Sequence, residues 1–236
     1  MNRAPEDSPV ICLDNVTKNF GERGHLTSAL RNVSLKAYPG ELVLLLGPSG
    51  SGKTTLLVIA AGLSRPTSGT VKLFGREIEN YGAAELQRLR ARKIGFIFQT
   101  FLLLDSLTAQ ENVAVVMRFN GDGERDRRRR ALTLLDEFGV GYLARRFPGA
   151  MSQGEKQRVA IARAMANRAE LVIADEPTGS LESRQGFDVI RLLRNQTRQR
   201  NACVIAVSHD LRLAEYADRI LRLEDGRLKP WAGIQA

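Results

Sequence analysis

The segment Gly47-Pro48-Ser49-Gly50-Ser51-Gly52-Lys53-Thr54 limits what this chain can fold into more than any other stretch. It follows an apolar run, ELVLLL at 41–46, and precedes a helix-like run, KTTLLVIAAG. Strand, Gly-rich turn and helix in that order are the context in which a G-x-x-x-x-G-K-[ST] pattern carries chemistry. Glycines let the backbone curl so that successive N–H groups converge on an anion such as a β-phosphate. The helix that begins near Lys53 adds the positive end of its dipole. Lys53 supplies a mobile charge for β- and γ-phosphates, and Thr54 a hydroxyl for Mg²⁺. Without those flanks the segment would read as a Gly/Ser turn. By itself it implies nucleotide phosphates, not hydrolysis.

A magnesium-phosphate site also needs a carboxylate, and LVIADEP at 171–177 offers two. Asp175 falls at the C-terminal end of an apolar strand, where open α/β sheets place ligands, and can hold Mg²⁺ directly or through water. Glu176 is expected to point the other way along the pleat, where a carboxylate can orient and deprotonate an attacking water. Alone, the pair reads better as an acidic cap on the turn before Pro177. Beside the phosphate loop the catalytic reading takes over.

The rest of the chain alternates apolar strands with helices. Strands are expected at 10–14, 33–37, 41–46, 171–175 and 203–208, with a hairpin around TSGTVKLFG. Gly62 is placed to end the first helix. Further helices are expected at 183–200 and 211–217, and a last hairpin, RILRLEDGRL, turns on Asp225-Gly226. From Ala83 to about Leu143 helical patterns dominate, broken by IGFIFQ at 94–99 and by Gly-Asp-Gly at 121–123. The expected fold is α/β. It has a phosphate-loop NTPase core with a mostly parallel sheet, an antiparallel β subdomain and an inserted helical subdomain at roughly 84–165.

Bulk properties narrow the setting. The 236 residues, 43% of them apolar, suffice for one domain over 1–236. No run nears the ~18 apolar residues of a membrane span, and the N-terminus has no apolar signal region. The chain is therefore expected in the cytoplasm unless a partner brings it to a membrane. Cys12 and Cys203 lie in apolar runs outside any metal-binding spacing, which implies two buried reduced thiols and no structural zinc. Net charge is +9, with its sharpest cluster at Arg125–Arg130. That cluster is expected to be the solvated start of an amphipathic helix. Aromatics are 6% and do not interleave with it, so no nucleic-acid partner is expected.

Several further motifs, in order, resemble the ABC ATPase family over about residues 10–229. Met151-Ser152-Gln153-Gly154-Glu155, followed by KQRVAIARAM, resembles the family signature and its helix. Gln99 in IGFIFQ matches the Q-loop glutamine, and Gly179-Ser180-Leu181-Glu182 resembles the D-loop. His209 in AVSHD matches the switch histidine, and Phe20 in VTKNFG the aromatic that stacks on adenine. Without the resemblance, His209 would read as a satisfied strand-end polar residue and Phe20 as core.

The resemblance implies that ATP and Mg²⁺ are sandwiched between two head-to-tail copies of the chain. The nucleotide-binding set is Phe20, Gly47, Pro48, Ser49, Gly50, Ser51, Gly52, Lys53, Thr54 and Thr55 on one copy, with Ser152, Gln153, Gly154 and Glu155 of the other. The metal set is Thr54, Gln99 and Asp175. Glu176 would be the general base, His209 would contact the γ-phosphate, and Gln99 would reach Mg²⁺ and the water while sensing a membrane partner. Ser152 to Glu155 also reads as S-x-x-E, a capping box that would aim a helix N-terminus at the phosphate. Gln153 stands where the family most often has Gly, but Ser152 and Gly154 remain, so phosphate contact is expected to survive. Glu182 stands where the family usually has Asp, which would alter coupling between the two sites.

Within the family, GFIFQTFLLLDSLTAQENV and SQGEKQRVAIARAMANRAELVIADEPTGSLES look most like the MacB/LolD/DevA group, with FtsE a near relative. That implies a separate integral membrane permease subunit with an extracytoplasmic domain, and export or release of a lipoprotein, lipid, peptide or drug. The chain would then sit peripherally on the inner face of the membrane. The alternatives are an FtsE-like regulator of envelope processes, and a non-transport ABC ATPase acting on nucleic acid. Absence of sustained heptads and of CxxC argues against the latter.

Overall fold

A computed structural model describes residues 8–21, 26–181, 183–231 and 233. Its centre is a six-stranded sheet in the order β10-β9-β3-β8-β7-β6. The strands are β3 (Leu42–Leu46), β6 (Ile94–Ile97), β7 (Leu171–Asp175), β8 (Cys203–Ser208), β9 (Arg219–Glu224) and β10 (Arg227–Pro230). All neighbours run parallel except the β9–β10 hairpin. Alternate residues of β3, β7 and β8 feed opposite cores, which is why these short runs are apolar throughout. Leu42, Leu44, Val172 and Val204 face one core, packed with Val159, Val189 and Phe138. Val43, Leu45, Ile173 and Ile205 face the other, packed with Leu56, Ile59, Ile11 and Val71.

The second core is roofed by an antiparallel sheet, β2-β1-β4-β5. It comprises β1 (Ile11–Phe20), β2 (Thr27–Ala37), β4 (Ser68–Leu73) and β5 (Arg76–Glu77). Both β1 and β2 run longer than the segments 10–14 and 33–37 that the sequence marks. The β1–β2 register shifts past Leu13, and Asn15 and Asn32 take left-handed φ of 50° and 51°. Such bulges break the period-two alternation by which a strand is recognised.

The helices are α1 (Lys53–Ala60), α2 (Ala83–Lys93), α3 (Ala109–Ala114), α4 (Glu124–Glu137), α5 (Gln153–Met165) and α6 (Ser183–Arg200). Gly62, at φ 64°, follows α1, and its N–H donates to Ile59 O. Gly121 closes a short 3-10 turn and Gly123 caps α4. Helices α3, α4 and α5 pack on one another. The segment expected to be a helix at 211–217 is instead a 3-10 turn, Leu211–Tyr216, capped by the Asp210 side chain. It is too short to sustain an α-helix of its own.

The basic run of α4 is tied to acidic neighbours, with Arg128 against Glu124, Arg129 against Asp126 and Arg130 against Asp122. Cys203 is buried, which pushes its thiol up to about 12. Cys12 is only half-buried, contrary to expectation, because its side of β1 faces away from the core. Among the described residues no helix is long and apolar enough to cross a membrane.

Candidate functional site

Parallel register brings the candidate residues to one edge of the sheet. Leu46 of β3 pairs with Ser208 of β8, Asp175 of β7 with Val207, and Ala174 with Ile97 of β6. The phosphate loop, His209, Glu176 and Gln99 all leave the sheet just beyond these pairs. This is the C-terminal edge, where α/β sheets hold ligands.

The loop at 47–52 is shaped by what surrounds it. A Cβ on Gly52, where φ is 103°, would lie 2.3 Å from Ala29 O, and one on Gly47 2.3 Å from Leu223 O. Neither position tolerates a side chain. The Asp225-Gly226 turn, with φ of 47° and 73°, packs behind the loop, and the Gly226 N–H donates to Ser51 O. Lys53 lies over the loop mouth, its Nζ donating to Gly47 O at 2.7 Å and Pro48 O at 2.9 Å. Those carbonyls hold the ammonium beside the space where an anion would sit. The Ser51 hydroxyl is buried and has no hydrogen-bond partner among the described residues.

Asp175 is half-buried and its carboxyl is raised above the usual range. Burial is the main cause and the charge of Glu176 the second, while Lys53 and a hydrogen bond with Thr54 pull the other way. Two adjacent carboxylates in a desolvated corner, joined to a threonine hydroxyl and an ammonium, are chemistry that a hard divalent cation satisfies. Residues of this kind fit Mg²⁺ and a phosphate chain.

Glu176 departs from the expected pleat. It lies beyond β7 with φ 47°, and its N–H donates to Val207 O. A left-handed glutamate is strained, and its turn aims the carboxylate at His209, whose Nδ1 lies 3.0 Å from Oε2. The carboxylate is shielded and the imidazole open, with side chains 14% and 70% exposed. Gln99 reaches the same corner: a Cβ on Gly179 would lie 3.1 Å from Gln99 Nε2 and 3.4 Å from Glu176 Cβ. Ser180 Oγ donates to Gln99 O at 2.8 Å, linking the two loops. Glu182, expected to shape this link, lies outside the described residues.

Phe20 ends β1 with half its surface exposed and Lys18 Nζ 5.3 Å from its ring.

The signature turn is built differently. Ser152 caps α5, its hydroxyl accepting from the Glu155 N–H while the Glu155 carboxylate accepts from the Ser152 N–H. Glu155 also accepts from the Tyr142 hydroxyl at 2.6 Å, which holds its carboxyl below the usual range. Its carboxylate is thus occupied with the cap. Ser152 and Gln153 are exposed. No hydrogen bond or ion pair joins 152–155 to the phosphate loop among the described residues. The sequence gives no sign of Tyr142, because nothing marks a tyrosine 13 residues away as a partner of the cap.

The family model described as ABC transporter matches residues 30–179. The chain belongs to the ABC transporter family. It is an ABC-type ATPase. Its relatives include the macrolide export ATP-binding/permease protein MacB of Marinobacter nauticus, 41% identical over 96% of this chain and 35% of that protein. The ATP-binding protein LolD 2 of a lipoprotein-releasing system in Caulobacter vibrioides is 40% identical over 94% of this chain and 97% of its own length. The chain thus spans about a third of MacB and nearly all of LolD 2. Among solved structures, the dimeric post-hydrolysis ATP-binding cassette MJ0796, bound to ADP and Pi, superposes with a TM-score of 0.84. It is 37% identical, over 95% of this chain and all of that one. CbiO1 of Clostridium perfringens, part of the transporter complex CbiONQ, also gives 0.84, at 25% identity over 94% of this chain and 88% of its own.

Proposed function

We propose that this chain is the ATP-hydrolysing subunit of an export or release complex. Two copies close head to tail on ATP, and a separate membrane permease takes up the motion. The observation that carries the reading is the gathering of Lys53, Thr54, Asp175, Glu176, Gln99 and His209 at one sheet edge, while no hydrogen bond or ion pair among the described residues ties the signature turn to the phosphate loop.

The residues divide the work. The phosphate-loop N–H groups and Lys53 bind the phosphates, and Phe20 offers its half-exposed ring to the adenine. Thr54 and Asp175, with Gln99, would hold Mg²⁺, which when bound neutralises phosphate charge. Glu176 accepts the proton of the attacking water, and His209 steadies the Glu176 carboxylate and the γ-phosphate side of the pocket. Ser152 and the free N–H groups of α5 face the γ-phosphate held by the other copy. Losing that phosphate removes their contact, and the pair can open. Likeness to LolD 2, the ATP-binding protein of a lipoprotein-releasing system, along nearly its whole length supports the export or release reading.

The test compares Lys53→Ala with Glu176→Gln. Both should lose turnover, by about 10²- to 10⁴-fold for loss of the base. Only Glu176→Gln should retain ATP through gel filtration. Equal retention by both would remove these roles. A tagged pull-down from detergent-solubilised membranes should bring down a membrane protein with a large extracytoplasmic domain, and recovery of soluble protein or nucleic acid alone would remove the permease.

A further inference from the structure

Helix α5 carries the signature at its N-terminus, and two residues along its shaft fasten it elsewhere. Gln157 is buried, and its Nε2 donates to Pro177 O at 2.6 Å. Its Oε1 is also buried and has no hydrogen-bond partner among the described residues. An unpaired buried acceptor keeps its full desolvation cost, which a leucine of similar volume would avoid. Stability alone does not explain an amide there.

Further along, Arg163 donates to Phe101 O at 2.7 Å and to Leu102 O. Burial lowers the pKa of its guanidinium, so the charge is kept there at a cost. Phe101 and Leu102 both take left-handed φ, 61° and 46°. Two such non-glycine residues in succession are strained and persist only where the surroundings impose them. Arg163 is what grips their carbonyls. Pro177 directly follows Glu176, and Phe101 comes two residues after Gln99. One helix is thus tied to both loops that carry own-site groups.

We propose that α5 is the mechanical link between the two ATP sites of the dimer. Its Ser152 end answers to ATP held by the other copy. Gln157 and Arg163 convey that engagement to Glu176 and Gln99 of its own chain. They are positioning residues, and they act through the loops they hold. The inference rests on the head-to-tail reading above. A 13-residue helix is about 20 Å long and moves as a unit, so a push at Ser152 displaces both attachment points.

Gln157→Leu and Arg163→Met, in the full chain and again in a Glu176→Gln background, test this. Both should bind Mg-ATP normally, melt close to the parent, and dimerise on ATP at the parent's nucleotide concentration. Their kcat should fall by about tenfold to a hundredfold with KM little changed. Arg163→Lys, which keeps the charge and one donor, should recover part of the loss. A kcat within about twofold of the parent overturns the proposal, as does a loss of kcat matched by equal loss of dimerisation or melting temperature. A parent chain that neither hydrolyses ATP nor dimerises as Glu176→Gln overturns the head-to-tail reading itself, and the link with it.

Discussion

The phosphate loop and the signature turn both present backbone N–H groups at the start of a helix, but they are held by opposite means. The loop is moulded from outside, with Gly47 against Leu223 O, Gly52 against Ala29 O and the Gly226 turn behind. The signature turn is held from within, by the reciprocal bonds of Ser152 and Glu155 and by the Tyr142 hydroxyl, and its outer surface stays open. A loop fixed by its own domain is a finished half-site. An exposed, self-capped helix start is, in the proposed reading, the half-site that a second copy completes. Under the head-to-tail reading proposed above, the difference would let one chain serve two nucleotides at once.

The contrast is broken most strongly at glycine. Gly52→Ala should cost about 3 kcal/mol or more in chemical denaturation, because backbone atoms and a left-handed φ both oppose it. Gly154→Ala should cost under about 1 kcal/mol, since alanine suits a helix and the nearest atom, Gln185 Oε1 at 3.1 Å, is the end of a flexible side chain. That variant should still bind ATP as a monomer and lose ATP-driven dimerisation. Similar stability losses for the two would erase the distinction.

Ser152→Ala sharpens it at intermediate scale. Loss of the cap should remove about 1 kcal/mol of stability and weaken the ATP-driven dimer, with monomer ATP affinity unchanged in titration calorimetry. A fall in monomer affinity would place the signature in its own chain's site.

Tyr142→Phe should have the smallest effect, within about 0.5 kcal/mol at neutral pH. Its signature is pH dependence. The Tyr142 hydroxyl and then the Ser152 backbone hold the Glu155 carboxyl low. A carboxyl depressed on folding stabilises above its unfolded pKa, and that contribution is lost as pH falls through the folded value. Without the hydroxyl less remains to lose, so the melting temperatures of parent and variant should converge on acidification. A constant gap would contradict the bond.

Features fixed by local chemistry were legible in the sequence. These include the strand, loop and helix around Lys53, the apolar strands buried on both faces, the Ser152–Glu155 box and the Asp225-Gly226 turn. Features set by distant partners were not. The full lengths of β1 and β2 are hidden by bulges at Asn15 and Asn32, and the left-handed turn at Glu176 by its place in an otherwise regular strand pattern. The partners of Gln157 lie 20 residues away, and those of Arg163 61 and 62. No periodicity reports contacts at that range.

The most direct measurement is the mass in solution of Glu176→Gln with and without saturating Mg-ATP, by light scattering. Two half-sites on one chain require a monomer without nucleotide and a dimer with it. A variant that binds ATP and remains monomeric would contradict the division of labour between phosphate loop and signature turn.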